Sequence, residues 1–203
     1  MKACTGAVWF GQFEPVIPEG GTEMLRSLLS IGGCMVAGGA IVRMLIDAPR
    51  SDIDIFVFGA EGRETFERVI GRLVACGATT VARDEREPKG YLHMRAVLAY
   101  ADQTWDIIWS EKWTRADDVL DGFDLTCCQV GLRHDGDKLC LVATYEGALS
   151  IMRRQFMVTK NVWPTTPARV EKYQGLGFTL VGDIPSPAIT LNGAAMLSPN
   201  MDT

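Results

Sequence analysis

The 203-residue chain predicts an α/β (α+β) fold, a mixed, twisted sheet with flanking helices and a C-terminal helical segment. Three observations predict it. Apolar residues alternate at a period of two in 52–57, 91–100 and 103–109, the pattern of strands with two different faces. They recur at helical spacing in 22–31, 61–76 and 145–158, so each of these segments offers one apolar face to a sheet. Turn residues separate the two kinds of segment. A hydrophobic fraction of 47% suffices for one core over this length, and the chain divides into an N-terminal arm (1–21), a core (22–143), a helical segment (144–182) and an irregular tail (183–203).

Residues 1–21 mix aromatic residues with Gly and Pro and hold no period, which reads as a capping arm anchored by Trp9, Phe10 and Phe13. Thr22 then caps a helix with Met24, Leu25, Leu28 and Leu29 inward. An apolar run, Met35 to Ala37, enters Gly38 and Gly39 and a short helix, and a Pro-containing turn leads to the strand 52–57. The helix 61–76 places Phe66, Val69, Ile70, Leu73 and Val74 against the sheet, with Arg63, Arg68 and Arg72 on a solvated face. A strand at 78–83 gives way to a charged loop, DEREPKG. Two strands follow, 91–100 and 103–109, joined tightly at Ala101 and Asp102, with Trp105, Ile107 and Trp109 on the packed face. After a short helix at 116–122, a strand over 123–133 turns at 134–137 into a second, 138–143. The helix 145–158 comes next, Trp163 and Pro164 break the chain, and Thr166 caps a last helix that ends near Gly175 to Gly177.

The chemistry concentrates in MVAGGAIVRMLIDAPRSDIDIFV, residues 35–57. Period two puts Asp52 and Asp54 on one strand face and Ile53, Ile55 and Val57 on the other. Two adjacent carboxylates repel, and the agent that usually offsets them is a hard divalent cation, Mg2+ or Mn2+, with positions left for water and phosphate oxygens. Gly38 and Gly39 let backbone approach a phosphate, and the helix after them directs N–H groups at an anion. Asp106, alone in the apolar strand TWDIIWS, needs a partner, and the cation at Asp52 and Asp54 is the expected one. Asp124 enters a strand either as an outer ligand or as a turn residue.

A small apolar residue and Gly-Gly, followed about a dozen residues later by Asp-x-Asp, resembles the signature of the DNA polymerase β-type nucleotidyltransferase superfamily, carried here by Ala37, Gly38, Gly39, Asp52 and Asp54. Ala40 stands where that pattern often continues with Ser, so it offers a backbone N–H and no hydroxyl. The resemblance covers 22 to about 110, and a small MNT-like or viral-type member fits best. It implies the nucleotidyltransferase fold and transfer of a nucleoside monophosphate from an NTP such as ATP to an acceptor hydroxyl, with release of pyrophosphate. It implies Asp106 as the third acid of a two-metal site. One cation would lie on Asp52 and Asp54, and a second would be shared by all three. Gly38, Gly39 and Ala40 would contact the nucleotide, and Arg43, Arg169 or Lys172 would neutralise its charge, although Arg43 can equally face solvent. The run Arg169, Lys172, Tyr173 leaves two readings open: a phosphate grip with a ring for a base, or an exposed basic face with Tyr173 packed inward.

Other features narrow the class. A net charge of −5 offers no broad basic surface, so strong non-specific binding to long nucleic acid is not expected. The six cysteines are scattered, and His93 and His134 are the only histidines, so no zinc spacing forms and reduced, buried thiols are expected. There is no signal sequence and no apolar run of about 18 residues, which predicts a cytoplasmic protein without membrane contact. Phosphate-loop, zinc-protease and serine-hydrolase motifs are absent. The acceptor stays open among an RNA end, a small molecule, a protein and a second nucleotide. The competing readings are a non-catalytic nucleotide- or protein-binding module, antitoxin- or sensor-like, and a metal-dependent nuclease.

Overall fold

The computed structural model describes residues 8–12, 21–49, 52–87, 92–136 and 138–185. Among the described residues ten strands and six helices follow one another as β1 (Val8–Gln12), α1 (Gly21–Leu29), β2 (Cys34–Ala37), α2 (Gly39–Leu45), β3 (Ile53–Val57), α3 (Gly62–Ala75), β4 (Thr79–Arg86), β5 (His93–Tyr100), β6 (Gln103–Ser110), α4 (Ala116–Leu120), β7 (Val130–Asp135), β8 (Lys138–Ala143), α5 (Tyr145–Arg153), β9 (Gln155–Phe156), α6 (Thr166–Gly175) and β10 (Thr179–Leu180). Eight strands form the main sheet, in the order β1-β8-β7-β2-β3-β6-β5-β4. Only β3 and β6 run parallel to each other within it, so the sheet is mixed as expected. β9 and β10 form a separate parallel pair.

The inner face of the sheet comes from the alternation in β3, β5 and β6. Ile53, Ile55 and Val57 lie in register with Trp105, Ile107 and Trp109. All six are buried, together with Met94, Ala96 and Leu98 of β5 and Phe66, Val69, Ile70 and Leu73 of α3. The helix approaches so closely that a Cβ on Gly62 would lie 2.1 Å from the indole nitrogen of Trp109. Val74, expected to face inward, is 47% exposed, one position past the apolar stripe.

The structure departs from the sequence expectations at several places. The N-terminal arm contributes β1, an edge strand antiparallel to β8. The side chains of Trp9, Phe10 and Phe13 lie outside the described residues, as does the tail beyond residue 185. β4 continues through Asp84, Glu85 and Arg86, which were expected in a loop. Its charges find partners: Arg83 with Glu67, Arg86 with Asp84, and Arg63 with Glu85 at 3.7 Å. A charged edge also discourages pairing with another chain.

The expected strand over 123–133 begins only at Val130, because 126–128 form a 3-10 turn. Side-chain hydrogen bonds compete there with the ladder. The Thr126 hydroxyl lies 2.7 Å from that of Ser150 and accepts the Met157 N–H. His134, expected at the turn tip, belongs to β7 opposite Leu139. α5 stops at Arg153 instead of 158, ended by Arg154 in the left-handed region (φ 52°). Thr165 holds the N-cap position of α6, and the Thr166 hydroxyl instead donates to Asp124 at 2.7 Å. Cys34, Cys127, Cys128 and Cys140 are buried free thiols, while Cys76 is exposed.

Candidate active site

The opposite face of β3 carries Asp54 and Phe56, with Asp52 just ahead of the strand and near enough to act on Asp54. Phe56 closes one end of that face, edge-on to Trp113 at 5.6 Å and to Phe123 at 5.4 Å between ring centroids. The Asp end stays accessible: Asp52, Asp54, Arg95, Val97 and Thr104 are all partly exposed. Asp54 sits directly in register with Asp106 across the parallel β3–β6 pair, so the strand pairing brings two of the expected acids side by side. Asp52 precedes β3 by one residue.

Asp54 bears the electrostatic cost of this arrangement. Burial, then the negative charges of Asp106 and Asp52, push its carboxyl up to about 8, against weaker opposing pulls from Arg169 and Arg95. Asp106 is 3% exposed. Its partner is Arg95 on β5, whose Nε donates to the two carboxylate oxygens at 2.9 and 2.8 Å while an Nη donates to Oδ2. Burial still holds the Asp106 carboxyl above the ordinary range, with Arg95 pulling it down. Sequence reasoning missed Arg95 and assigned a cation to its place.

The Gly38 turn flanks the carboxylates. Gly38 has φ 76°, and a Cβ there would lie 2.8 Å from the Phe123 ring, so both backbone and space call for glycine. Its N–H, expected to face a phosphate, donates to the Val130 carbonyl at 3.0 Å and is engaged in the sheet. The N–H groups that lack an intrahelical acceptor are those of the first turn of α2, from Gly39 and Ala40 onward. Gly38→Ala is expected to cost about 1–3 kcal/mol, from a strained conformation and a displaced Phe123. A thermal melt beside Gly33→Ala, where space is less tight, checks it.

The remaining candidates have other placements. Arg43 donates to the Pro49 carbonyl at 2.9 Å, clasping the loop ahead of β3. Arg169 is buried, 3.0 Å from Asp124, with a second nitrogen 3.6 Å from the Cys128 sulfur. It therefore ties α6 to the segment before β7, and its charge reaches Asp54 from there. Asp124, which the sequence offered as an outer ligand or a turn residue, is fully buried ahead of β7 under Arg169 and Thr166. Lys172 is exposed, so it and Arg169 do not form one phosphate grip. Tyr173 is 2% exposed, edge-on to Phe178 at 6.0 Å and near Phe156 at 6.3 Å, which leaves no ring face for a base.

The fit to a divalent cation follows from these donors. Asp52 and Asp54 offer carboxylate oxygens on an accessible face, and burial with the neighbouring acids Asp106 and Asp52 raises the Asp54 carboxyl, the surroundings in which a cation would favour its charged form. They suit one hard cation. The three-acid set expected for a second cation is not assembled, because Arg95 holds Asp106. Among the described residues no three acidic, His or Cys side chains gather as a ligand group.

Comparison with solved structures agrees with this fold. A tRNA-processing enzyme in its apo form matches with a TM-score of 0.58 at 16% identity, over 84% of this chain and 46% of that one. The Thermotoga maritima CCA-adding enzyme complexed with tRNA matches with a TM-score of 0.58 at 19% identity, over 83% and 41%. A CCA-adding enzyme in complex with ATP gives 0.59 at 18% identity, over 83% and 40%. The likeness shows the nucleotidyltransferase fold, and the chain spans less than half the length of these enzymes. No curated protein matches. No described helix is long and apolar enough to cross a membrane.

Residues 11–161 match the family described as Gabija anti-defense 2, which is not the MNT-like type that the signature suggested. A match over that much of the sequence settles membership: this chain belongs to the Gabija anti-defense 2 family.

Proposed function

We propose that this chain is a nucleotidyltransferase that moves a nucleoside monophosphate from an NTP to an acceptor hydroxyl, and that this reaction serves the anti-defense role in its family's name. The observation that carries the reading is the register pairing of Asp54 with the buried Asp106 on parallel strands, with Asp54 on the accessible face beside the Gly38 turn. The fold shared with enzymes solved in complex with ATP and CTP supports an NTP as donor.

In this reading the acceptor oxygen bonds to the α-phosphorus, the bond to the bridging oxygen of the β-phosphate breaks, and pyrophosphate leaves. The hydroxyl proton passes to a carboxylate of the same face. Asp52 and Asp54 would hold Mg2+ or Mn2+. A cation bound there would supply positive charge that polarises phosphate oxygens. The first turn of α2 directs N–H groups toward the phosphates, while Arg43 holds the α2–β3 loop so that Asp52 stays beside Asp54.

One observation favours a second reading, a binding module on the same fold: the ion pair that engages Asp106. Label transfer separates the two. Each α-32P NTP, with Mg2+ or Mn2+, is incubated with extract of cells carrying the Gabija system and the native or Asp52→Ala/Asp54→Ala protein. Label in an RNA, protein or small-molecule fraction from the native protein alone is expected, and the fraction identifies the acceptor class. No label with any nucleotide or metal would transfer the weight to the binding module.

A further inference from the structure

Strand β6 lies between β3 and β5, so Asp106 has Asp54 on one side and Arg95 on the other. Arg95 occupies Asp106 through both carboxylate oxygens, the geometry in which a guanidinium fork fills the lone pairs that a cation would use. The two partners differ in access. The Asp106 side chain is 5% exposed and that of Arg95 24%, so the acid is fixed within the sheet while the guanidinium reaches the accessible face.

The position of Arg95 follows from the strand pattern. Met94, Ala96 and Leu98 are buried on the α3 side, and Arg95 projects with Val97 onto the face of the carboxylates. Cross-strand pairing sets Val97 opposite Asp106, which places Arg95 diagonally, within reach of a long side chain.

We propose that Arg95 is a positioning residue that withholds Asp106 from divalent cations, so that the resting site takes one cation on Asp52 and Asp54 and completes a second only when Arg95 leaves Asp106. This rests on the nucleotidyl-transfer reading and deepens it. The ion pair makes the resting chain a one-cation protein. A guanidinium released from a carboxylate matches the oxygens of a phosphate in the same two-pronged way, so an arriving triphosphate is the ligand suited to draw Arg95 away. Completion of the acidic set is thereby tied to arrival of the substrate.

Mn2+ binding to nucleotide-free protein, followed by electron paramagnetic resonance of the free ion, tests this without turnover. Arg95→Gln, which retains an amide donor, is expected to bind one more Mn2+ per chain than the native protein. Arg95→Lys, which keeps the charge but loses the fork, is expected to take the extra ion with lower affinity, and it serves if Arg95→Gln does not fold. Adding Asp106→Asn to either variant is expected to abolish the gain. An unchanged Mn2+ count in both variants would overturn the inference, as would a gain that persists with Asn at 106. Failure of the nucleotidyl-transfer reading has a different sign: no label transfer by the native protein, whatever the Mn2+ count.

Discussion

Asp54→Asn is expected to abolish nucleotidyl transfer while making the metal-free protein more stable. Losing a carboxylate that is proposed to hold the cation should remove several kcal/mol of transition-state stabilisation, a fall on the order of 10³-fold or more in label transfer. The same change removes a carboxyl whose charged form burial, Asp106 and Asp52 all oppose, so the gain grows as pH approaches the value at which Asp54 would ionise.

The sign with pH follows from the shift. The folded protein keeps the Asp54 proton up to about 8, whereas an unfolded chain releases it near the ordinary value of 3.8. Between those values the folded state binds more protons, so this group's contribution is fully present below the lower value and is lost as pH rises through the higher one. Melting temperatures in EDTA from pH 4.5 to 8.5 should therefore show the Asn variant gaining on the native protein as pH rises, by at most about 1.4 kcal/mol per pH unit, and levelling above about 8. Added Mg2+ should raise the melting temperature of the native protein and leave that of the variant nearly unchanged. A constant difference between the two across the range would mean that Asp54 is not strained by its neighbours.

Arg169→Ala is expected to have the largest effect on stability. Asp124 is fully buried and Arg169 nearly so, and truncating one partner of such a pair leaves an uncompensated charge that costs about 3–5 kcal/mol. For a chain of this size that corresponds to a fall of about 10 °C in melting temperature. Arg169→Lys keeps a charge but loses the second contact, to Cys128, and should fall between. The double change Arg169→Met/Asp124→Asn, which removes both charges, nearly keeps volume and leaves the Thr166 hydroxyl an acceptor, should recover much of the loss, because it leaves no uncompensated buried charge. A small effect of Arg169→Ala, with label transfer lost, would instead return Arg169 to the nucleotide-binding role that the sequence offered.

The local pattern determined the elements wherever periodicity and turn residues agreed. The α3 stripe, the β5–β6 pair joined at Ala101 and Asp102, with φ of 51° and 57°, and the β7–β8 hairpin were all legible from the chain alone. So was the placing of Asp54 on the face opposite Ile53, Ile55 and Val57, because a period of two is a property of the backbone. Even Arg95 was within reach of the sequence. The tight turn pairs Tyr100 with Gln103, and counting back from it sets Val97 opposite Asp106 and Arg95 diagonal to it. The missed signal was a lone arginine between inward-facing Met94 and Ala96.

What only the tertiary structure decided were the partners of buried polar groups, since a sequence shows that Asp106, Asp124 and Arg169 must be neutralised but not by what. Strand order put Arg95 beside Asp106 where a cation was expected. The return of α6 put Arg169 and Thr166 on Asp124, more than forty residues earlier in the chain, and the Thr126 contacts with Ser150 and Met157 accompany a 3-10 turn where a strand was expected. Those choices depend on contacts between distant segments, whose competition for the same donors and acceptors is resolved only when the chain is packed.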